Sequence, residues 1–153
     1  LRESLAAAEL LEDEFGIPAD VFSVTSFSEL RRDALAAERA AMLAPTEKPR
    51  KPWVSECLGG RAGPFIAATD YMKVVADQIR QWVPGRYVAL GTAGFGRSDS
   101  RQQLREHFEV SRNWIVVAAL KALADEGKID AASVALAIKK FGIDPAKPDP
   151  LLS

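Results

Sequence analysis

The sequence predicts an α/β fold, and three observations carry that expectation. Short apolar runs of strand length alternate with longer segments whose apolar residues recur at helical spacing. Glycine and proline punctuate the ends of these segments. The 153 residues are 48% hydrophobic and 27% charged, which supplies one real core and is not the composition of a disordered chain.

The elements follow in order. Leu1, Leu5, Ala8, Leu11 and Phe15 form one face of a helix over about Arg2 to Phe15, stopped by Gly16 with Pro18 just beyond. "DVFSVTSF" predicts a short buried strand through Val21, Phe22 and Val24. Ser26 and Glu29 then have the spacing of a capping box, opening a helix to about Leu43. Its face of Leu30, Ala34, Ala37 and Ala41 permits a close neighbour. The three prolines of "APTEKPRKP" require an extended connection over 44–52. "WVSECL" and "PFIAAT" read as two strands. Asp70 is expected to cap a helix with Met72, Val75, Ala76, Ile79 and Val83 inward, closed by Pro84 and Gly85. "RYVALG" is another strand. Asp99 and Gln102 then have capping-box spacing for a helix to about Glu109. The segment from about Arg112 to Glu126 is apolar over most of its circumference and is expected to lie centrally. A last helix with Val134, Ile138 and Phe141 ends at Gly142. The chain thus divides into a domain over 1–142 and a proline-rich tail over 143–153.

Composition bounds the function. A net charge of −1 offers no global attraction to nucleic acid or an anionic membrane. The apolar runs are far shorter than a bilayer crossing needs. A single cysteine, Cys57, and a single histidine, His107, exclude an internal disulfide and a Cys- or His-rich metal site. The expectation is a soluble, cytoplasmic domain. Cys57 is expected to be a small core residue. His107 is expected to be half-buried and bonded to a carbonyl or carboxylate rather than a general base.

"GTAGFGRSDS" is the strongest chemical candidate. Gly91 to Ser98 falls one residue short of a phosphate loop, because Arg97 stands where the lysine belongs. Asp99 likewise replaces the third glycine of a dinucleotide motif. A structural turn and helix cap is therefore the preferred reading. A weaker one leaves Gly94, Gly96, Arg97, Ser98 and Ser100 as an anion-binding or interface loop.

Three longer stretches, "DVFSVTSFSELRRD", "TDYMKVVADQIRQWVP" and "LGTAGFGRSDSRQQLREHFEV", resemble one family in this order, and "VVAALKALADEGKID" continues the match. The family is the carboxyl-terminal domain of the homodimeric bacterial pyruvate dehydrogenase E1 component, among the transketolase-like thiamine diphosphate enzymes. The resemblance implies a mixed, mostly parallel sheet flanked by helices, with a first strand preceding Leu1. It implies an intact enzyme that decarboxylates pyruvate on thiamine diphosphate with Mg2+ and acetylates a lipoyl group of the E2 acetyltransferase. The cofactor and metal would be held by amino-terminal and middle domains outside this chain. The family's G-D-G…N motif, active-site histidines and activating glutamate have no counterpart here, so the resemblance transfers no catalytic residue. The implied role is support of the homodimer and its active sites. The sequence departs from many relatives at Ala93, where they carry Asp, and at Ala40 and Ala41, where they carry bulkier groups. A related E1 acts on 2-oxoglutarate, but the G-F-G-R-S-D wording favours pyruvate. Two other readings stay open: an independent anion- or nucleotide-binding module built on the Gly91–Ser100 loop, and a docking domain for E2 or E3.

Overall fold

A computed structural model describes residues 1–152. Its centre is a parallel pair of strands, β1 (Phe65–Met72) and β2 (Tyr87–Thr92). Alternate residues of each strand serve opposite layers, as the two-residue period of a strand requires. Ile66, Ala68 and Leu90 pack against a cluster built on Ala7, Leu11, Ile115, Val116, Leu120, Val134 and Ala137. Phe65, Ala67, Tyr87 and Ala89 belong to a second cluster with Ala34, Val54, Ala76, Ile79, Trp82 and Val83. The sheet is therefore covered on both faces, as parallel sheets are.

The first layer consists of α1 (Arg2–Phe15), α6 (Arg112–Asp125) and α7 (Ala131–Lys140). The second contains α2 (Phe27–Leu43), α3 (Trp53–Leu58) and α4 (Lys73–Asp77), with one 3-10 turn at Arg80–Trp82. A short α5 (Arg101–His107) leads from the sheet to α6. The expected central helix is central: Val116 and Leu120 on α6 are both 0% exposed. The first helix, its stop at Gly16 and the cap of α2 match expectation, with Ser26 Oγ accepting from the Glu29 N–H at 3.2 Å. Ala34 and Ala37 are the buried small residues of α2.

Several expectations are corrected. Residues 21–24 form no strand; Phe22 and Val24 are exposed, and Arg61 pairs with Asp20 and lies over the Phe22 ring. An apolar run without a neighbouring edge has no ladder to join. "WVSECL" is the helix α3, not a strand, because its start is capped from a distance. Asp33 on α2 accepts from the Trp53 N–H at 2.7 Å and from Arg50 at 2.8 Å. The Trp53 N–H bond, then Arg50, hold the Asp33 carboxyl below its ordinary range, against the opposing effect of burial. In this helix Val54 is buried and Cys57 is exposed, so Cys57 is not a core residue. Asp70 caps no helix: β1 runs on through it, with a register irregularity between Ala68 and Met72. Met72 is exposed, while Ala76, Ile79 and Val83 do face inward. The expected single helix over 70–83 is instead α4 and the 3-10 turn, held by Arg80 donating to the Tyr87 carbonyl at 2.7 Å. Tyr87 donates its hydroxyl to the Ala76 carbonyl at 2.7 Å, and burial pushes its pKa up to about 12.

One ion cluster joins α1 to the start of α6. Glu3, with its side chain 15% exposed, accepts from the Arg112 backbone N–H and Nε, both at 3.0 Å, and from Arg105 at 3.2 Å. Its carboxylate thus caps α6 and opposes the positive end of that helix. The Arg112 side-chain bond lowers the Glu3 pKa most, against an opposing effect of burial. The Ser111 hydroxyl at the same helix start is buried and lacks a partner among the described residues, because Glu3 has taken the capping role.

Two outcomes follow. Leu120→Ala should cost about 3 kcal/mol in urea unfolding, through lost burial and the cavity left behind. Glu3→Gln should cost about 2 kcal/mol at neutral pH, the worth of hydrogen bonds to a charged group. A carboxyl whose folded pKa lies below its ordinary value stabilises above that value and stops doing so as pH falls through the folded one. The wild-type advantage over Glu3→Gln should therefore be full well above pH 4.5 and shrink in more acidic solution, read by denaturant titration across pH.

Candidate functional site

The candidate loop leaves the carboxyl end of β2, and its glycines have different causes. A Cβ at Gly91 would stand 2.7 Å from Lys73 Cα, 2.8 Å from Lys73 N and 2.9 Å from the Tyr71 carbonyl oxygen. No side chain fits there, so Gly91 lets β2 run against the β1–α4 junction. Gly94 has φ 79°, and a Cβ on it would fall 2.1 Å from the Pro150 carbonyl oxygen. Both the left-handed backbone and the tail require glycine at this position. Gly96 has no such neighbour within 4 Å.

The tail is thus part of the loop's surroundings. Pro150 is buried, and the Leu151 Cα would lie 3.3 Å from a Cβ at position 94. Lys147 anchors it, donating to the His107 carbonyl at 2.9 Å and to the Glu109 carboxylate at 2.8 Å. The same ammonium lies 5.2 Å from the centre of the Trp114 ring. Glu109 is a non-glycine residue at φ 61°, where α5 turns towards α6. The Val110 N–H donates back to the Arg105 carbonyl at 2.9 Å to close that turn.

Of the five loop residues named from sequence, the structure joins Arg97 to His107. An Arg97 guanidinium nitrogen lies 3.0 Å from His107 Nδ1. Arginine only donates, so Nδ1 accepts and the ring proton stands on Nε2. Burial, then the positive charges of Arg97 and Lys147, lower the His107 pKa. The expected half-burial of His107 holds, but its side-chain partner is a cation instead of a carbonyl or carboxylate. Ser98 and Gly96 are exposed. Ser100, not Asp99, caps α5, accepting from the Gln103 N–H at 3.3 Å, while Asp99 accepts from the Ser100 N–H at 2.7 Å. The cap thus sits one residue later than the spacing predicts. Phe95, at the tip, is 87% exposed.

Sequence reasoning missed Lys147 and Glu3, whose partners lie far along the chain. No local spacing marks either.

This architecture, a parallel pair inside two helical layers with a glycine loop at its carboxyl end, is that of a known class. Residues 1–111 match the family model described as Transketolase-like TK C-terminal domain, and the chain belongs to that family. It is similar to proteins named pyruvate dehydrogenase E1 component: 62% identical to that of Pseudomonas aeruginosa over 99% of this chain, 53% identical to that of Cupriavidus necator over 98%, and 51% identical to that of Escherichia coli K12 over all of it. It spans 17% of the length of each of these relatives.

The thiamine diphosphate and magnesium that the resemblance implies do not fit the described residues. Among these, no group of three or more His, Cys, Asp and Glu side chains stands together to hold a metal ion. An open groove of about 610 Å³ runs along α1, lined by Leu1, Arg2, Leu5, Ala6, Glu9 and Arg112. It pairs apolar residues with a carboxylate and two guanidiniums and offers no ligand set for a metal–diphosphate. No helix is long and apolar enough to cross a membrane among the residues described.

Gly94→Ala should lose about 2 kcal/mol, from the left-handed backbone and the displaced tail. Hydrogen exchange should quicken over residues 147–152, whereas Gly96→Ala should change stability by less than about 0.5 kcal/mol.

Proposed function

We propose that this chain is the carboxyl-terminal part of a pyruvate dehydrogenase E1 polypeptide and that it supports the enzyme's assembly rather than its chemistry. The observation that carries this reading is the 62% identity to the Pseudomonas aeruginosa E1 component across 99% of the chain. The intact protein would act in the cytoplasm as a homodimer, decarboxylating pyruvate oxidatively and passing the acetyl group to a lipoyl group of the E2 acetyltransferase. Thiamine diphosphate would supply the electron sink for that step, held with Mg2+ by amino-terminal and middle domains that precede this one. The domain proper is 1–142, and residues 143–153 form its proline-rich tail.

In this proposal the Gly91–Ser100 loop is an interface element rather than an anion cradle. Arg97 is engaged with His107, and the Pro150 carbonyl, itself an acceptor, lies against Gly94. An incoming phosphate would have to displace both. The exposed Phe95 suits an apolar partner better than a nucleotide phosphate.

Calorimetric titration of the 153-residue chain with Mg2+ and thiamine diphosphate, or with Mg2+ and ATP, should release no binding heat. The full-length polypeptide should bind the thiamine cofactor and decarboxylate pyruvate. Tight binding of either compound by the short chain would move the chemistry into this domain. Turnover of 2-oxoglutarate in place of pyruvate by the full-length protein would overturn the substrate.

A further inference from the structure

Single exposed apolar residues are ordinary, but six large ones gather at the carboxyl end of the strand pair. Tyr71, Met72, Val74, Phe95, Leu151 and Leu152 are 61–87% exposed. Their proximity follows from the fold. Met72 pairs with Thr92 at the ends of the strands, and Val74 lies in the first turn of α4 just after β1. Phe95 lies on the loop that leaves Thr92, and Leu151 passes over Gly94 on that loop. The tail is not a loose end in this group, because Lys147 ties it to α5 and to Glu109. A surface ordered in advance costs less to bury.

The start of the chain lies beside the same end. Leu1, Arg2, Glu3 and Ser4 line a small cleft together with Ala68, Thr69 and Asp70, the residues just before Tyr71. The relatives are far longer, since this chain matches 17% of their length. A polypeptide arriving at Leu1 therefore passes close to the apolar end.

We propose that this surface is buried by an apolar face of the polypeptide preceding Leu1 in the full-length protein, within the same subunit. The proposal rests on the reading of the chain as part of a longer E1 polypeptide. Phe95 and Tyr71, 87% and 71% exposed, are the two aromatic side chains of that surface.

The test uses the full-length protein with Phe95→p-benzoylphenylalanine, and separately Tyr71→p-benzoylphenylalanine, followed by irradiation and peptide mapping. Leu136→p-benzoylphenylalanine is the control, because Leu136 is 61% exposed on α7, a helix of the layer packed over one face of the sheet. Both test positions should cross-link to peptides preceding Leu1, and the control should not. Mixed dimers of isotopically labelled and unlabelled subunits should place these links within one subunit. Links to the second copy, links to a lipoyl-bearing protein, or no link from either position would each overturn the proposal. A native polypeptide with a mass near 16.6 kDa would remove the E1 reading and this proposal with it. A long, thiamine-dependent enzyme without the links would remove this proposal alone.

Discussion

Two parallel strands cannot be joined by a tight turn, and a pair of this size has too little surface to stand alone. Both facts shape this molecule. The connection from β1 to β2 must cross over, and it does so through α4 and the Arg80–Trp82 turn, which also deliver Ala76, Ile79, Trp82 and Val83 to one face of the pair. The other face is left for α6, whose apolar residues reach around most of the helix because strands, α1 and α7 all press on it. Gly91 is where this arrangement is tightest. With β2 against the β1–α4 junction, a single methyl group there would meet backbone on two residues, Tyr71 and Lys73.

The contacts that join the layers are polar and reach across the sequence. Glu3 lies more than a hundred positions from Arg112, yet it satisfies the start of α6 and fixes α1 upon it. Asp33 does the same for α3 from α2. In each case a carboxylate on one helix completes the hydrogen bonding of another, so these two helix starts mark where a second element docks.

That pattern also explains what was legible in the sequence. Elements with their own signals read correctly: α1 with its periodic face and Gly16, α2 with its Ser26 cap, α6 with its continuous apolar run, and β1 and β2 with their short apolar stretches. The errors fall where a distant residue decides. "WVSECL" has six residues, too few for periodicity to separate helix from strand, and Asp33 settles the matter. Val21 to Val24 has strand composition but no edge beside it. Asp70 looks like a cap because nothing local reveals that β1 continues through it. The loop was legible as a turn, and Ser100 as its capping residue was missed by one position. The tail that covers Gly94 was not legible at all, since Lys147 meets His107, Glu109 and Trp114 only after folding.

The glycines of the loop therefore separate into two kinds. Gly91 and Gly94 are required by contacts inside the chain, one with the β1–α4 junction and one with Pro150. Gly96 is not: its backbone needs no left-handed angle and a side chain there would meet open space. Between Gly94 and Gly96 stands Phe95, the most exposed large apolar residue described. Chain-internal physics accounts for the turn, the cap and the tail, and leaves the tip of the loop without an internal reason. In the segment that first resembled a phosphate loop, Gly91 and Gly94 thus owe their identity to packing inside the chain, while Gly96 does not.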